Sequence, residues 1–279
     1  MLDWQIIFCI WLVFTTAASL IYRRFAVKSK LNPLVSDVVR NALVSLPAMI
    51  AIAITTGDFV LPSTSILLVA LLEATIGTAY GYFSFYAIKE SDASSFTTLI
   101  KLSVIPVVVS SSLILGEGLT KQQYAGGALL LLGALLLGKV KLTSKSIKLI
   151  GLCIVLITAV ALLSRYLVES AGLVTALLLS FGFGLLIKLP FTAKTLIKER
   201  KQVRKELPMI MALGVTGFFQ VILFIWATDL AGNLSLVYSL AASKVVIVPV
   251  LAAIFLGEKD NLRIKISAAS IAALGLIFI

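Results

Sequence analysis

Lys101 and Lys244 are the residues in this sequence with the clearest chemical use. Each falls near the middle of a long apolar run, and each is followed by proline at the same distance, Lys-x4-Pro, with Pro106 and Pro249. A charged side chain in hydrocarbon costs about 3 kcal/mol by insertion scales. Two ammonium groups brought to one place would bind an anionic group of a substrate. The structural alternative pairs one lysine with Glu73 and leaves the other neutral or in water. Glu73 lies well inside the third apolar run, where a carboxyl can bind a substrate amine, pair with Lys101 or carry a coupling proton. Tyr80 and Gln220 are polar and near mid-run. Ser103, Ser110 and Ser243 are weaker candidates, since a serine in a membrane helix often bonds back to its own backbone. Asp37 and Arg40, one turn apart, are expected to pair with each other. Arg165, near the end of its run, is expected to reach out to the interface.

Other chemistries are excluded or unsupported. There is no histidine, which removes His-based zinc sites, bases and haem ligands together. Cys9 and Cys153 stand alone inside apolar runs and read as small packing residues. No metal-ligand spacing and no G-x-x-x-x-G-K-[ST] loop is present. No cofactor is therefore expected, and the chain is read as a non-enzyme that does not itself use ATP.

These residues must be positioned by membrane-spanning helices. Of 279 residues, 60% are hydrophobic and 13% charged, against about 45–50% and about 25% in soluble domains. A soluble protein of this length has too little interior for so much apolar surface. A spanning helix needs roughly 20 apolar residues. Ten such runs stand at about 3–22, 33–56, 64–88, 93–115, 122–138, 148–167, 173–192, 207–228, 234–256 and 263–279. The breaks carry turn chemistry: Asn32-Pro33, Gly57-Asp58, Leu61-Pro62, Gly116-Glu117-Gly118 and Gly232-Asn233. The first run lacks a basic start, and Arg23-Arg24 follow where a cleavage site would stand, so it reads as a span and not a signal peptide.

The net charge of +11 is a topology signal, not a nucleic-acid patch. The loops after runs 1, 3, 5, 7 and 9 hold 18 of the 24 Lys and Arg residues. The opposite loops hold one, Lys121. Arg40, Lys101, Arg165, Lys188 and Lys244 lie inside runs. The positive-inside rule then places the odd-numbered loops in the cytoplasm and both termini outside.

The chain also repeats itself at an offset near 140 residues. Cys9-Ile10 with Tyr22 aligns with Cys153-Ile154 and Tyr166. Gly77, Tyr80, Tyr86 and Ala87 align with Gly217, Gln220, Trp226 and Ala227. Lys101 with Pro106 aligns with Lys244 and Pro249, and Leu115-Gly116-Glu117 with Leu256-Gly257-Glu258. Five spans per copy force the second copy to be inverted, which is the signature of alternating-access transporters. The expected fold is all-α integral membrane: ten transmembrane helices as two inverted five-helix repeats, residues 1–139 and 140–279.

Each repeat has a proline in its fourth run, a Leu-Gly-Glu turn and a small-residue-rich fifth run. The turn is Leu115-Gly116-Glu117-Gly118-Leu119 before Gly126-Gly127, Gly133 and Gly138. It recurs as Leu256-Gly257-Glu258 before Ala268, Ala269, Ala272, Ala273 and Gly275. This pattern resembles the drug/metabolite transporter superfamily, EamA type, over the whole chain. The resemblance implies a cavity lined by runs 3, 4, 8 and 9. It also implies a parallel with phosphosugar transporters, which carry basic residues in runs 4 and 9. The chain departs from the family in two ways: its charge bias puts the termini outside, and its first run lacks the embedded glutamate of small multidrug members, with only Asp3 at its end.

The function expected is secondary active transport of a small organic anion or zwitterion, held in a central cavity between the repeats. The site is expected to comprise Lys101, Lys244, Glu73, Tyr80, Gln220, Ser103 and Ser243. The alternatives are a flippase of a lipid-linked intermediate, or an exporter of amino acids or drugs. The expected partners are a small-molecule substrate and the lipid bilayer, with proton or counter-substrate coupling and no nucleic acid. The expected assembly is a monomer or homodimer, multi-pass in the plasma membrane.

Overall fold

Helix boundaries fall where the sequence supplies a cap, a proline or a glycine. The computed structural model describes residues 4–91, 96, 99–137, 143–255 and, beyond them, 264, 267, 268, 270, 271, 274, 275 and 278. The expectations resting on Asp3, Gly138, Leu256-Gly257-Glu258, Ala269, Ala272 and Ala273 lie outside the described residues. Among those described, the structure is helical, without strands.

Helix α1 spans Trp4–Lys28. Asn32 caps α2, Pro33–Arg40, accepting from the Leu34 N–H at 2.9 Å, with Pro33 in the first turn, where a missing N–H costs nothing. A π turn, Asn41–Ser45, joins α2 to α3, Leu46–Thr56. Pro47 accounts for it. Its ring lacks the N–H that the Leu43 carbonyl would use and crowds that carbonyl, so the chain widens just upstream. Gly57, at φ 70°, ends α3.

Helix α4 is Thr64–Glu90, capped by Ser63. A 3-10 turn, Lys101–Ser103, leads into α5, Val104–Ile114. Helix α6 is Lys121–Leu137, with Gly126, Gly127 and Gly133 buried. Helix α7 is Ser144–Ala171, capped by Thr143. Helix α8 is Leu173–Ala231, ended by Gly232 at φ 63°. Asn233 caps α9, Leu234–Leu240, through the Leu236 N–H at 2.8 Å. A second 3-10 turn, Ala241–Ser243, precedes α10, Lys244–Phe255.

The sequence separates runs 173–192 and 207–228 by a loop. The structure instead keeps helical hydrogen bonding through all 59 residues of α8. The linking residues are mostly Lys, Arg, Glu and Gln, good helix formers without glycine, and hydropathy alone reads them as a break. The element nevertheless doubles back. A straight helix would put Phe181 and Phe218 roughly 55 Å apart, whereas their ring centroids lie 6.0 Å apart. α8 is a helical hairpin, with a first arm ahead of Pro190 and a second arm after Pro208.

Among the described residues, five helical stretches are long and apolar enough to cross a membrane: α1, α2 to α3, α4, α7 and α8. Their outer faces carry side chains such as Ile54, 77% exposed, which suits hydrocarbon and not water. This is an α-helical, multi-pass integral membrane protein. Helix α1 packs along α8, and α4 along α7. The Ser and Thr residues inside the spans mostly return their hydroxyl to the carbonyl one turn back, as Thr16 does to Leu12 at 2.7 Å and Thr228 to Phe224 at 2.9 Å.

The two ends of the bundle differ in charge. At one end Ser29 donates to Glu206 at 2.5 Å, the Asn32 N–H to Glu199 at 3.1 Å, and Lys145 to Glu90 at 2.6 Å. This end gathers the linker after Lys28, the end of α4 at Glu90, the start of α7 and the tip of α8, and it is rich in lysine and arginine. At the other end lie Gly57, Ser63, Glu117, Gly172, Asp229 and Asn233, with Thr175 accepting from the Val60 N–H at 2.9 Å.

Candidate functional site

A cavity of about 490 Å³ runs through the middle of the bundle, lined from α1, α2 and the π turn after it, α4, the two 3-10 turns, α7, both arms of α8, α9 and the start of α10. All five basic residues that the sequence buries inside apolar runs line it: Arg40, Lys101, Arg165, Lys188 and Lys244. The acidic residues on its wall are Asp37 and Glu73.

The five cations are not equivalent. Arg40 and Lys188 both bind the Asp37 carboxylate, which is therefore shared between α2 and the first arm of α8. Arg165 is held by three carboxylates: Glu117 at 3.0 Å, Glu169 at 2.8 Å and Asp229 at 3.8 Å. Lys101 and Lys244 have no ion-pair partner among the described residues. Lys101 Nζ lies 6.0 Å from the Trp11 ring centroid and 5.8 Å from that of Tyr238, at the outer limit of cation–π attraction. Lys244 Nζ donates to Thr15 Oγ1 at 2.9 Å. The two ammonium groups face one cavity and repel each other.

The lysines reach this place through broken helices. Lys101 opens one 3-10 turn, and Lys244 directly follows the other. Both sit where the α ladder is interrupted, and a proline follows each. Trp11, Phe224 and Tyr238 form an aromatic wall beside them, with centroids 5.2 Å apart for Trp11 and Phe224 and 5.7 Å for Phe224 and Tyr238.

Glu73 is buried in α4 and accepts from Ser164 Oγ of α7 at 3.0 Å. It makes no ion pair with Lys101 or Lys244, so the structural alternative of a Glu73–lysine pair is not what the structure holds. Its second oxygen, Oε2, is buried without a hydrogen-bond partner, as are Trp11 Nε1 and Asn41 Oδ1 on the same cavity wall. Tyr80 and Gln220 line the cavity, and so does Ser103, which lies against Tyr238. Ser243 is buried away from the lining, with its hydroxyl unpartnered. Ser110 is also off the lining.

Residues 3–139 match the EamA-like transporter family. The chain belongs to the drug/metabolite transporter superfamily. It is a membrane transporter of small molecules by that membership. No curated protein matches it. A crystal structure described only as that of a protein aligns with a TM-score of 0.67 over 96% of this chain and 94% of its own, at 17% identity. At that identity the likeness is one of fold.

Sequence reasoning on this EamA-like transporter missed three features of its cavity. Arg165 does not reach for the interface; it is buried in a carboxylate cage because Glu117, Glu169 and Asp229 converge on it. Lys188 was visible as a charge inside an apolar run, but its partner Asp37 is about 150 residues away in sequence. Asn41, whose Nδ2 donates to the Phe181 carbonyl at 2.9 Å, carried only the nearby Pro47 as a signal.

Proposed function

We propose that this transporter moves a small organic anion or zwitterion by alternating access between two inverted halves, residues 1–139 and 140–279. The carrying observation is the pair Lys101 and Lys244, the two cavity cations that no described carboxylate neutralises. Two repelling ammonium groups in a medium of low dielectric are relieved by an anion between them. Glu73 Oε2, Asn41 Oδ1 and Trp11 Nε1 supply unsatisfied acceptors and a donor elsewhere on the wall, which suits a substrate with polar groups at more than one point. The aromatic wall suits its apolar part.

Reciprocal packing supports the inverted repeat. α4 lies against α7, with Gly77 facing Val160, and α1 lies against the second arm of α8, with Phe14 and Phe219 ring centroids 4.7 Å apart. An offset of 140 residues carries the first contact into the second. The Arg165 cage closes the carboxylate-rich end of the cavity. Alternating access then requires that it opens in turn with the basic end, which the charge bias places in the cytoplasm of the cell. Glu73 is the group proposed to carry a coupling proton, and the plasma membrane is the proposed location.

The test begins with thermal-shift screening of purified protein against carboxylates, phosphate esters and amino acids, since a ligand of the folded state raises its apparent stability. Lys101→Met and Lys244→Met are then titrated with the ligand found. Each should lose one charged hydrogen bond, about 1.5–3 kcal/mol, or roughly tenfold to more than a hundredfold in affinity, with melting unchanged. Wild-type affinity in both variants would overturn the reading.

A further inference from the structure

We propose that the tip of the α8 hairpin, residues 194–206, is a docking site for anionic lipid headgroups in the leaflet at the basic end of the bundle. The segment carries Lys194, Lys198, Arg200, Lys201, Arg204 and Lys205, all exposed. Its two acidic residues point the other way. Glu199 accepts the Asn32 N–H at 3.1 Å, and Glu206 accepts from Ser29 Oγ at 2.5 Å and from Gln202. The acids are consumed in fixing the tip to the linker between α1 and α2, so the outward face is cationic without internal neutralisation.

Apolar side chains mark the depth of this face. Phe191, 74% exposed, and Ile197, 70% exposed, flank Lys194 just beyond Pro190. Bases beside exposed apolar groups at the end of a spanning segment fit the boundary between headgroups and acyl chains. A phosphodiester headgroup carries the complementary charge and comes with the acyl chain that Phe191 and Ile197 would meet. Other exposed bases at this end, Arg24, Lys28, Lys30 and Lys148, extend the surface around the tip. A loop placed only by topology would need positive charge but no such sorting of acid from base. The Ser29 and Asn32 contacts also hold the tip as a fixed platform, so lipid bound there is presented with a defined geometry.

The experiment uses the full chain in nanodiscs of phosphatidylcholine and phosphatidylglycerol at about 7:3. Spin-labelled phosphatidylglycerol and phosphatidylcholine report the motionally restricted fraction of each. The wild-type protein should restrict phosphatidylglycerol preferentially, and the preference should fall toward that of phosphatidylcholine in about 1 M salt, where screening acts over about 3 Å. The variant K198Q/R200Q/K201Q/R204Q/K205Q should lower the relative affinity at least about tenfold, whereas Lys121→Gln at the opposite end should leave it unchanged. Salt dependence is read on the wild-type chain, so it stands even where the variant folds poorly. Equal restriction of both lipids by the wild type, or a phosphatidylglycerol preference that survives the five substitutions, overturns the proposal. So does a preference lost in the variant but insensitive to salt.

Discussion

Replacing Arg165 by methionine tests whether the carboxylate cage holds the structure together. Arg165 and Glu117 have side chains only 8% and 9% exposed, and Arg165 Nε meets Glu117 Oε1 at 3.0 Å. Removing the cation leaves a buried carboxylate, which costs about 3–5 kcal/mol in comparable pairs. One compensation remains: Glu117 Oε2 still accepts the Leu234 N–H at 2.7 Å, so the lower end of that range applies. Glu169 and Asp229 are 44% and 43% exposed and should contribute no more than about 1 kcal/mol each. Chains of 150–250 residues lose roughly 2–4 °C per kcal/mol, so the loss should approach roughly 10 °C. The assay is thermal unfolding of purified protein followed by tryptophan fluorescence. Arg165→Met with Glu117→Gln removes both charges and should recover more than half of the loss. A single variant that melts within about 2 °C of wild type, or a double variant that melts as low as the sum of the singles, would refute the argument.

Two further outcomes follow from the cavity wall and its packing. Glu73→Gln should abolish uptake driven by a pH gradient while sparing substrate exchange, measured in proteoliposomes; pH-driven uptake at the wild-type rate would reduce Glu73 to a structural residue. Gly214→Ala should destabilise by about 1–3 kcal/mol, because a Cβ there would stand 2.8 Å from Val44 Cγ2 and 3.1 Å from Val44 Cβ. Val44→Ala, which removes the nearer Cγ2 contact, should restore part of the melting temperature, and a Gly214→Ala protein as stable as wild type would show that the Asn41–Ser45 turn and the second arm of α8 can part freely.

Hydropathy and turn residues made the spans legible, because the bilayer imposes a length and a composition that a single sequence can show. Asn32 starts a helix, and Gly57 and Gly232 end helices, where their chemistry says they should. The cavity was less legible. Lys101 and Lys244 announced themselves by matched spacing. Lys188 and Arg165 did not, because a charge in an apolar run does not reveal which distant carboxylate neutralises it. The tip of α8 reads as a loop by hydropathy but folds as helix, because in a charged segment without glycine helix propensity and hydropathy point in opposite directions.

The wide turn at Asn41–Ser45 holds one residue more than an α turn, and that surplus changes which residues of this span share a side. At about 100° per residue, Asp37 and Met49 would stand about 120° apart round the axis of an unbroken helix. With one residue absorbed they come within about 20°. Both then meet α8: Asp37 at Lys188, and Met49 in the cluster with Val174, Leu177 and Phe218. The span thus carries a phase correction set by Pro47, and residue number along it is not a uniform ruler. A relative with one residue fewer in this stretch would show a single gap on alignment. Its acidic group could still face the cavity only by abandoning the packing register beyond the turn.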